Sequence, residues 1–181
     1  MAKPRMVAGS AHLDAVLATN RDAYRESTWL LGLLSVPGAP ATPAEIVDRT
    51  LQALSELFSA EVACVVRRVG SRLVVTHAYG TSVAGTWLSG PAALDALARG
   101  RGVTRSPVDR ADLPPPLQTL PIRAAAWVPL SAPRQEGPGL EGPAGEESLL
   151  ALFRRGGALS PTETQVLGSA VNRLRATLTD A

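Results

Sequence analysis

The stretch 149–178 reads LLALFRRGGALSPTETQVLGSAVNRLRATL. It begins inside Ser148–Arg154, a short apolar run that predicts a buried strand. Gly156-Gly157 then turns the chain into Ser160-Pro161-Thr162-Glu163, a capping box with proline at the first helical position. Beyond the box, apolar residues recur at helical spacing as far as Leu178. The stretch therefore predicts a strand, a turn and a closing amphipathic helix.

A second capping box, Thr42-Pro43-Ala44-Glu45, predicts a helix that ends near Ser59. Two β-branched runs follow it, Glu61–Val69 and Arg72–Tyr79. They are separated by Gly70-Ser71, a pair suited to a tight primed turn. The pattern predicts an antiparallel hairpin directly after the helix.

The middle of the chain has weaker signals of secondary structure, and the pattern at 82–88 does not distinguish a helix from a strand or a loop. Ser89-Gly90-Pro91 predicts a short helix that stops at Gly100, followed by a brief strand at 102–104. Prolines then interrupt a long stretch, with a short helix conceivable at 117–120. Two further segments are clearer: Ile122–Ser131 predicts a buried strand, and 132–147, with four Gly and three Pro, predicts a flexible inter-strand loop.

The N-terminal region predicts a disordered segment at 1–11 and a long helix at 12–35, ended by the Pro37-Gly38-Ala39-Pro40 stretch. One seam of this helix has steps of three and four residues, which leaves two interpretations: an amphipathic helix on its own sheet, or an intermolecular seam. The dimer-interface candidates on this seam are Leu13, Leu17, Asn20, Tyr24, Leu31 and Leu34.

This order of elements resembles the GAF domain family. Three stretches carry the resemblance: 44–80, Ile122–Leu130 with its Trp127-Val-Pro-Leu ending, and Leu149–Leu178. The resemblance implies an α+β fold, with a central antiparallel sheet of five or six strands. Its N- and C-terminal helices would pack on one face, and a loop-walled pocket would lie on the other. It also implies a GAF-like domain at 42–178, preceded by a linker or dimerisation helix.

Composition excludes several classes of function. The 181 residues carry 18 Lys plus Arg against 16 Asp plus Glu, a net charge of +2, which is no nucleic-acid footprint. No apolar run approaches the roughly 20 residues of a membrane span, and no signal peptide is evident. The single cysteine, Cys64, excludes an intramolecular disulfide and fits a reducing compartment. We expect a cytoplasmic protein with no nucleic-acid or membrane partner.

The sequence offers little catalytic or cofactor chemistry. GAF domains that hold bilins attach them through a cysteine, and those that reduce methionine sulfoxide use more than one. Cys64 lies mid-strand, where a buried inert thiol is the simpler interpretation. The Asn-Lys-Phe-Asp-Glu pattern of cyclic-nucleotide GAF domains has no counterpart. With only His12 and His77 present, we expect no metal site, no cofactor and no catalytic residue.

Ligand-pocket candidates come from the second hairpin strand and from the loops that a GAF pocket would use. His77 would share a face with Leu73, Val75 and Tyr79, where a hydrogen-bonded structural histidine is the alternative to a ligand. The arginines beside the proline-rich loop form either an anion site or a solvated rim, and the tryptophans either line a pocket or pack in the core. The candidates are His77, Tyr79, Trp87, Arg105, Asp109, Arg123 and Trp127.

Together these features predict a non-enzymatic regulatory or sensor domain. It would bind a small effector, form a homodimer, or do both, and would signal to a partner in trans or belong to a longer protein. One alternative is a pure protein–protein interaction or dimerisation module with no ligand. Another is a small-molecule enzyme on the same scaffold, using His77, Asp109 or Cys64.

Overall fold

The computed structural model of the chain describes residues 42–88, 90–131 and 147–179. These ranges contain three α-helices, six strands and two 3₁₀ turns, Arg110–Asp112 and Pro115–Leu117. The helices are α1 (Pro43–Leu57), α2 (Pro91–Arg99) and α3 (Pro161–Thr179). The strands are β1 (Ala60–Val69), β2 (Arg72–Gly80), β3 (Trp87–Leu88), β4 (Val103–Arg105), β5 (Ala124–Pro129) and β6 (Ser148–Arg154). The predicted seam of the N-terminal helix and the loop 132–146 lie outside the described residues.

The six strands form one antiparallel sheet in the order β3-β2-β1-β6-β5-β4. This confirms the α+β fold class predicted from the sequence. β1 and β2 form the expected hairpin, whose turn residue Gly70 has a φ of +63°, a conformation that glycine adopts without strain. In this strand order β3 and β4 are the two edge strands of the sheet, and β1 and β6 lie at its centre.

The sheet separates two apolar layers. On one side, here called the helix face, side chains such as Val65 and Leu152 are covered by α1 and α3, which contact each other. On the opposite side, here called the loop face, Cys64, Trp127 and Phe153 pack beneath α2 and the loop 106–121. Each layer arises from the alternation of side chains along a strand.

A β-bulge in the hairpin changes which residues of β2 share a face. Val65 pairs with His77 while Val66 pairs with Val75, so Thr76 is the extra residue. Leu73 and Val75 therefore lie on the loop face, whereas His77 and Tyr79 lie on the helix face. The prediction that all four share a face is wrong, because unbroken alternation was assumed across Thr76.

Both predicted capping boxes are confirmed. At α1 the Glu45 amide donates to Thr42 Oγ1 at 3.3 Å, and the Thr42 amide donates to Glu45 Oε2 at 2.8 Å. At α3 the Glu163 amide donates to Ser160 Oγ at 3.1 Å, and the Ser160 amide donates to Glu163 Oε2 at 2.7 Å. None of the described helices is both long enough and apolar enough to cross a membrane.

Candidate functional site

The interior of the loop face is built around Trp127. Its side chain is 0% exposed, and its ring meets that of Phe153 edge to face, with centroids 5.9 Å apart and planes at 81°. The indole Nε1 has no hydrogen-bond partner among the described residues. A buried N–H without an acceptor is unfavourable, so this atom is the one polar anomaly among the buried side-chain atoms described.

The space where a GAF-type pocket was expected is filled by apolar side chains of the chain itself. Val62, Leu117 and Ala96 are fully buried there, as are Cys64 and Phe153. A side chain with no accessible surface adjoins no space that admits a water molecule. The centre of this layer is therefore closed, with α2 and the proline-rich loop packed directly onto the sheet.

Asp112 fastens the proline-rich loop to α2. It is buried, and its Oδ1 accepts from the Ala92 amide at 2.9 Å, at the first turn of α2. Gly90, the residue before this helix, allows the approach, because a Cβ there would collide with the Asp112 side chain and backbone. The N-terminal end of α2 is thus occupied by a carboxylate of the chain. No local pattern in the sequence points to Asp112, because a cap supplied from 20 residues away has no local signature.

Trp87 lies on the edge strand β3, on the opposite face of the sheet from Trp127, and three strands separate it from β5. It pairs with Val74 on β3, is 47% exposed, and carries the Arg72 guanidinium 4.3 Å from its ring centroid. It lines a groove of about 390 Å³ at the sheet edge. The lining residues are Ser71, Arg72, Leu73, Trp87, Leu88 and Leu94. Sequence analysis named Trp87 but missed Arg72 and Leu94, which join it only through tertiary structure.

His77 and Tyr79 lie on the helix face of β2, the opposite face of the sheet from Trp127. His77 Nδ1 is 3.2 Å from Thr76 Oγ1, and Tyr79 is exposed. Neither contacts the interior of the loop face. The bulge at Thr76 thus separates these two candidates from the region in which a loop-walled pocket was expected.

Arg105, Asp109 and Arg123 lie in one neighbourhood, where the loop meets the outer strands. Arg105 is the last residue of β4, and the Arg123 carbonyl, just before β5, accepts from the Val108 amide at 3.2 Å. Asp109 caps the 3₁₀ turn Arg110–Asp112 by accepting from the Ala111 amide at 3.0 Å. All three side chains are exposed. They form a solvated rim rather than a walled cavity.

The three residues named for the enzyme alternative, Cys64, His77 and Asp109, are not brought together. Cys64 is fully buried, and burial raises the pKa of its thiol to about 12, so it is neutral at physiological pH. His77 lies on the other face of the sheet, and Asp109 is in the outer loop. Among the described residues, no group of three or more His, Cys, Asp and Glu side chains is placed to hold a metal ion.

Comparison with solved structures finds the same fold in proteins of very different sequence. The GAF domain of a phosphoenolpyruvate-protein phosphotransferase from Acinetobacter matches with a TM-score of 0.65 at 14% identity, over 90% of this chain and 95% of that one. The GAF domain of a two-component sensor histidine kinase from Bacillus halodurans matches with a TM-score of 0.53 at 13% identity, over 74% and 94%.

A third match is an enzyme, the free methionine-R-sulfoxide reductase of Neisseria meningitidis, solved in complex with its substrate. Its TM-score is 0.60 at 15% identity, over 99% of this chain and 96% of that one. Scans against protein-family sequence models and against curated protein sequences give no match. The six-stranded order, the two covering layers and these matches together show that the chain adopts the GAF fold, which is found in domains of sensor and regulatory proteins.

Proposed function

We propose that this chain is a non-enzymatic regulatory domain that acts, as a homodimer, by contact with a partner protein. The observation that carries the proposal is the closed loop face: the residues that would line an effector pocket are packed against each other around Trp127 and Phe153. Signalling through the surface needs no such pocket. The exposed Trp87 and Leu94 supply apolar surface of the kind that protein contacts use.

The comparisons support a regulatory rather than a catalytic role. Several of the matched domains come from phosphotransferase and sensor kinase proteins. At this low sequence identity the matches show a shared fold, and the shared role is part of the proposal. The methionine sulfoxide reductase shows that the same fold can house an enzyme. Against an enzyme here stands the burial of Cys64, together with the separation of His77 from Asp109. The single cysteine fits a reducing compartment, so a cytoplasmic location is part of the proposal.

Native mass spectrometry of the freshly purified full chain tests this proposal. We expect the mass of a dimer with no retained small molecule, and denaturing spectra that match the bare polypeptide. A small molecule retained at one copy per chain would contradict the closed interior. A retained molecule that disappears in Trp127→Phe but persists in Trp87→Phe would place it on the loop face.

The second candidate function is effector binding on the loop face, favoured by the unpartnered Nε1 of Trp127. A small effector with a carbonyl or other acceptor oxygen would satisfy this N–H. Such an effector would need Leu113 and Leu117 to move, because both are buried in the same layer. The mass-spectrometric experiment separates the two candidates, since only effector binding predicts a retained ligand.

A further inference from the structure

The groove beside β3 combines apolar surface with an available cation. Trp87 borders it from the helix face and Leu94, 42% exposed on α2, borders it from the other side. Arg72 is exposed and lies over the Trp87 ring, and no carboxylate among the described residues pairs with it. Asp95, the acid next to Leu94, is already bound to Arg99 at 2.5 Å.

The backbone of β3 also has an unused side. The Thr86 carbonyl accepts from the Val75 amide at 3.0 Å, so it points towards β2. In an antiparallel ladder the next residue points the other way, which directs the N–H and C=O of Trp87 away from the sheet. β3 is an edge strand, so these two groups are available to an added extended segment.

We propose that this groove, formed by Ser71, Arg72, Leu73, Trp87, Leu88 and Leu94, binds an extended segment of a partner protein in which an acidic residue lies between apolar ones. The inference rests on the proposed function, since it names the surface through which a partner would be contacted. Backbone bonds to Trp87 align the segment as a seventh, short strand. Its sequence pattern follows from the two faces of the sheet.

The residue of the segment that pairs with Trp87 lies on the helix face, beside Arg72. A carboxylate there would pair with the Arg72 guanidinium, which lies over the indole ring of Trp87. The residues before and after it lie on the loop face, because side chains alternate along a strand. On that face they meet Leu94, so apolar side chains fit best.

The test is a titration of the ¹⁵N-labelled full chain with the capped peptide Thr-Val-Glu-Val-Thr, followed at the Trp87 indole and backbone amides. We expect saturable shifts at both amides. Three changes are each expected to raise the dissociation constant about tenfold, because each removes either the charge-assisted pair or a backbone hydrogen bond. They are Arg72→Gln, a peptide with Gln in place of Glu, and a peptide with that residue N-methylated.

Arg101→Gln is the matched control, because Arg101 is an equally exposed arginine that follows α2 and does not line the groove. We expect it to leave the dissociation constant within about twofold. Absence of saturable shifts up to about 5 mM peptide, which is the range of very weak binding, would overturn the proposal. Equal binding of the Glu, Gln and N-methyl peptides would overturn it as well.

Two further outcomes assign the groove to another occupant and also overturn the proposal. One is binding that appears only after residues 1–41 are deleted. The other is a change of oligomeric state in Arg72→Gln, which would indicate a second copy of the chain. Failure of the regulatory proposal is detected by a different experiment, as a small molecule retained in the native mass spectrum. That result does not decide whether the groove binds the peptide.

Discussion

Trp127 is the residue at which packing and hydrogen bonding conflict. Its ring fills the centre of the loop face against Phe153, while its N–H lacks an acceptor among the described residues. The apolar contact of a buried tryptophan is worth several kcal/mol, which exceeds the cost of one unsatisfied donor, about 1–3 kcal/mol. The side chain is therefore held by its shape rather than by its polar atom.

This balance predicts different costs for two substitutions of Trp127. Trp127→Phe removes the unsatisfied donor and keeps most of the ring, so we expect a loss of about 1–2 kcal/mol in the free energy of unfolding. Trp127→Ala empties the layer and should cost about 3–5 kcal/mol. Urea denaturation measures both, with the half-exposed Trp87→Phe as a control near zero. Equal losses for Phe and Ala would contradict a dominant contribution from the packing of the ring.

Cys64 gives a direct report on opening of the core. Its thiol is fully buried with a pKa near 12, so a chromogenic disulfide reagent at pH 8 reaches it only when the sheet opens. We expect modification of the folded chain to be slower than in urea by at least about a thousandfold, the factor set by ordinary domain stability. A Ser71→Cys, Cys64→Ala chain, with an exposed thiol at the hairpin turn, should react at similar rates in both conditions. Fast labelling of native Cys64 would contradict its burial.

The same raised pKa predicts a loss of stability at high pH. Above pH 9 the unfolded thiol ionises while the folded one stays neutral, so the free energy of unfolding falls between about pH 9 and 12. Cys64→Ala should lack this component of the decline.

At the scale of elements, the side chain of Arg154 bonds across the junction between β6 and α3. Arg154 donates to Glu163 Oε1 at 2.8 Å, to the Gly157 carbonyl at 2.7 Å and to the Ala158 carbonyl at 2.5 Å. Glu163 in turn closes the capping box with Ser160. A planar fork of donors is what fits these three acceptors at once.

We therefore expect Arg154→Lys to lower the free energy of unfolding by about 1–3 kcal/mol, because a lysine ammonium cannot reach all three acceptors. The neighbouring Arg155→Lys is the control. Arg155 binds Glu61 in bidentate fashion but is 54% exposed, and exposed pairs contribute about 0–1 kcal/mol. Urea denaturation measures the free energy of unfolding of both variants. Equal losses would show that the hydrogen-bond network of Arg154 adds nothing to the stability of the fold.

Glu163 makes this junction sensitive to acid. Burial alone would favour its protonated form, but the hydrogen bonds of Arg154 and the Ser160 amide, with the Arg154 charge, outweigh burial and lower the pKa of Glu163. Its folded pKa lies below the ordinary 4.5, so the stabilisation is complete above that pH and is lost as pH falls through the folded value. Glu163→Gln should thus lose less stability than the native chain between about pH 6 and 3.

The elements were predictable where the signal is local, and the site was not. The capping boxes, the Gly70-Ser71 turn and the α2 stop at Gly100 all depend on neighbours in sequence, and all are confirmed. The bulge at Thr76 depends on how β1 pairs with β2, so alternation alone placed His77 on the wrong face. Trp87 and Trp127 likewise looked equivalent until the strand order placed Trp87 on the edge strand β3 and Trp127 on the inner strand β5.

At the scale of the whole molecule, the proposed homodimer is tested by removing residues 1–35, which contain the seam candidates. We expect light scattering to give a dimer for the full chain and a monomer after deletion, because a leucine-rich seam is the association surface that the sequence predicts. The deletion retains the Thr42–Glu45 capping box, so α1 should still fold, which circular dichroism can check. A dimer that survives deletion would contradict the seam hypothesis.

The bond from Asp112 to the Ala92 amide gives the loop side of the domain a mechanical property. Because the Asp112 carboxylate bonds the first turn of α2, a displacement of the helix relative to the loop 106–121 would break this bond. The α2 helix also carries Leu94, at the rim of the groove. A partner that moves α2 at the groove would therefore also load the bond to Asp112 and, through it, the loop 106–121.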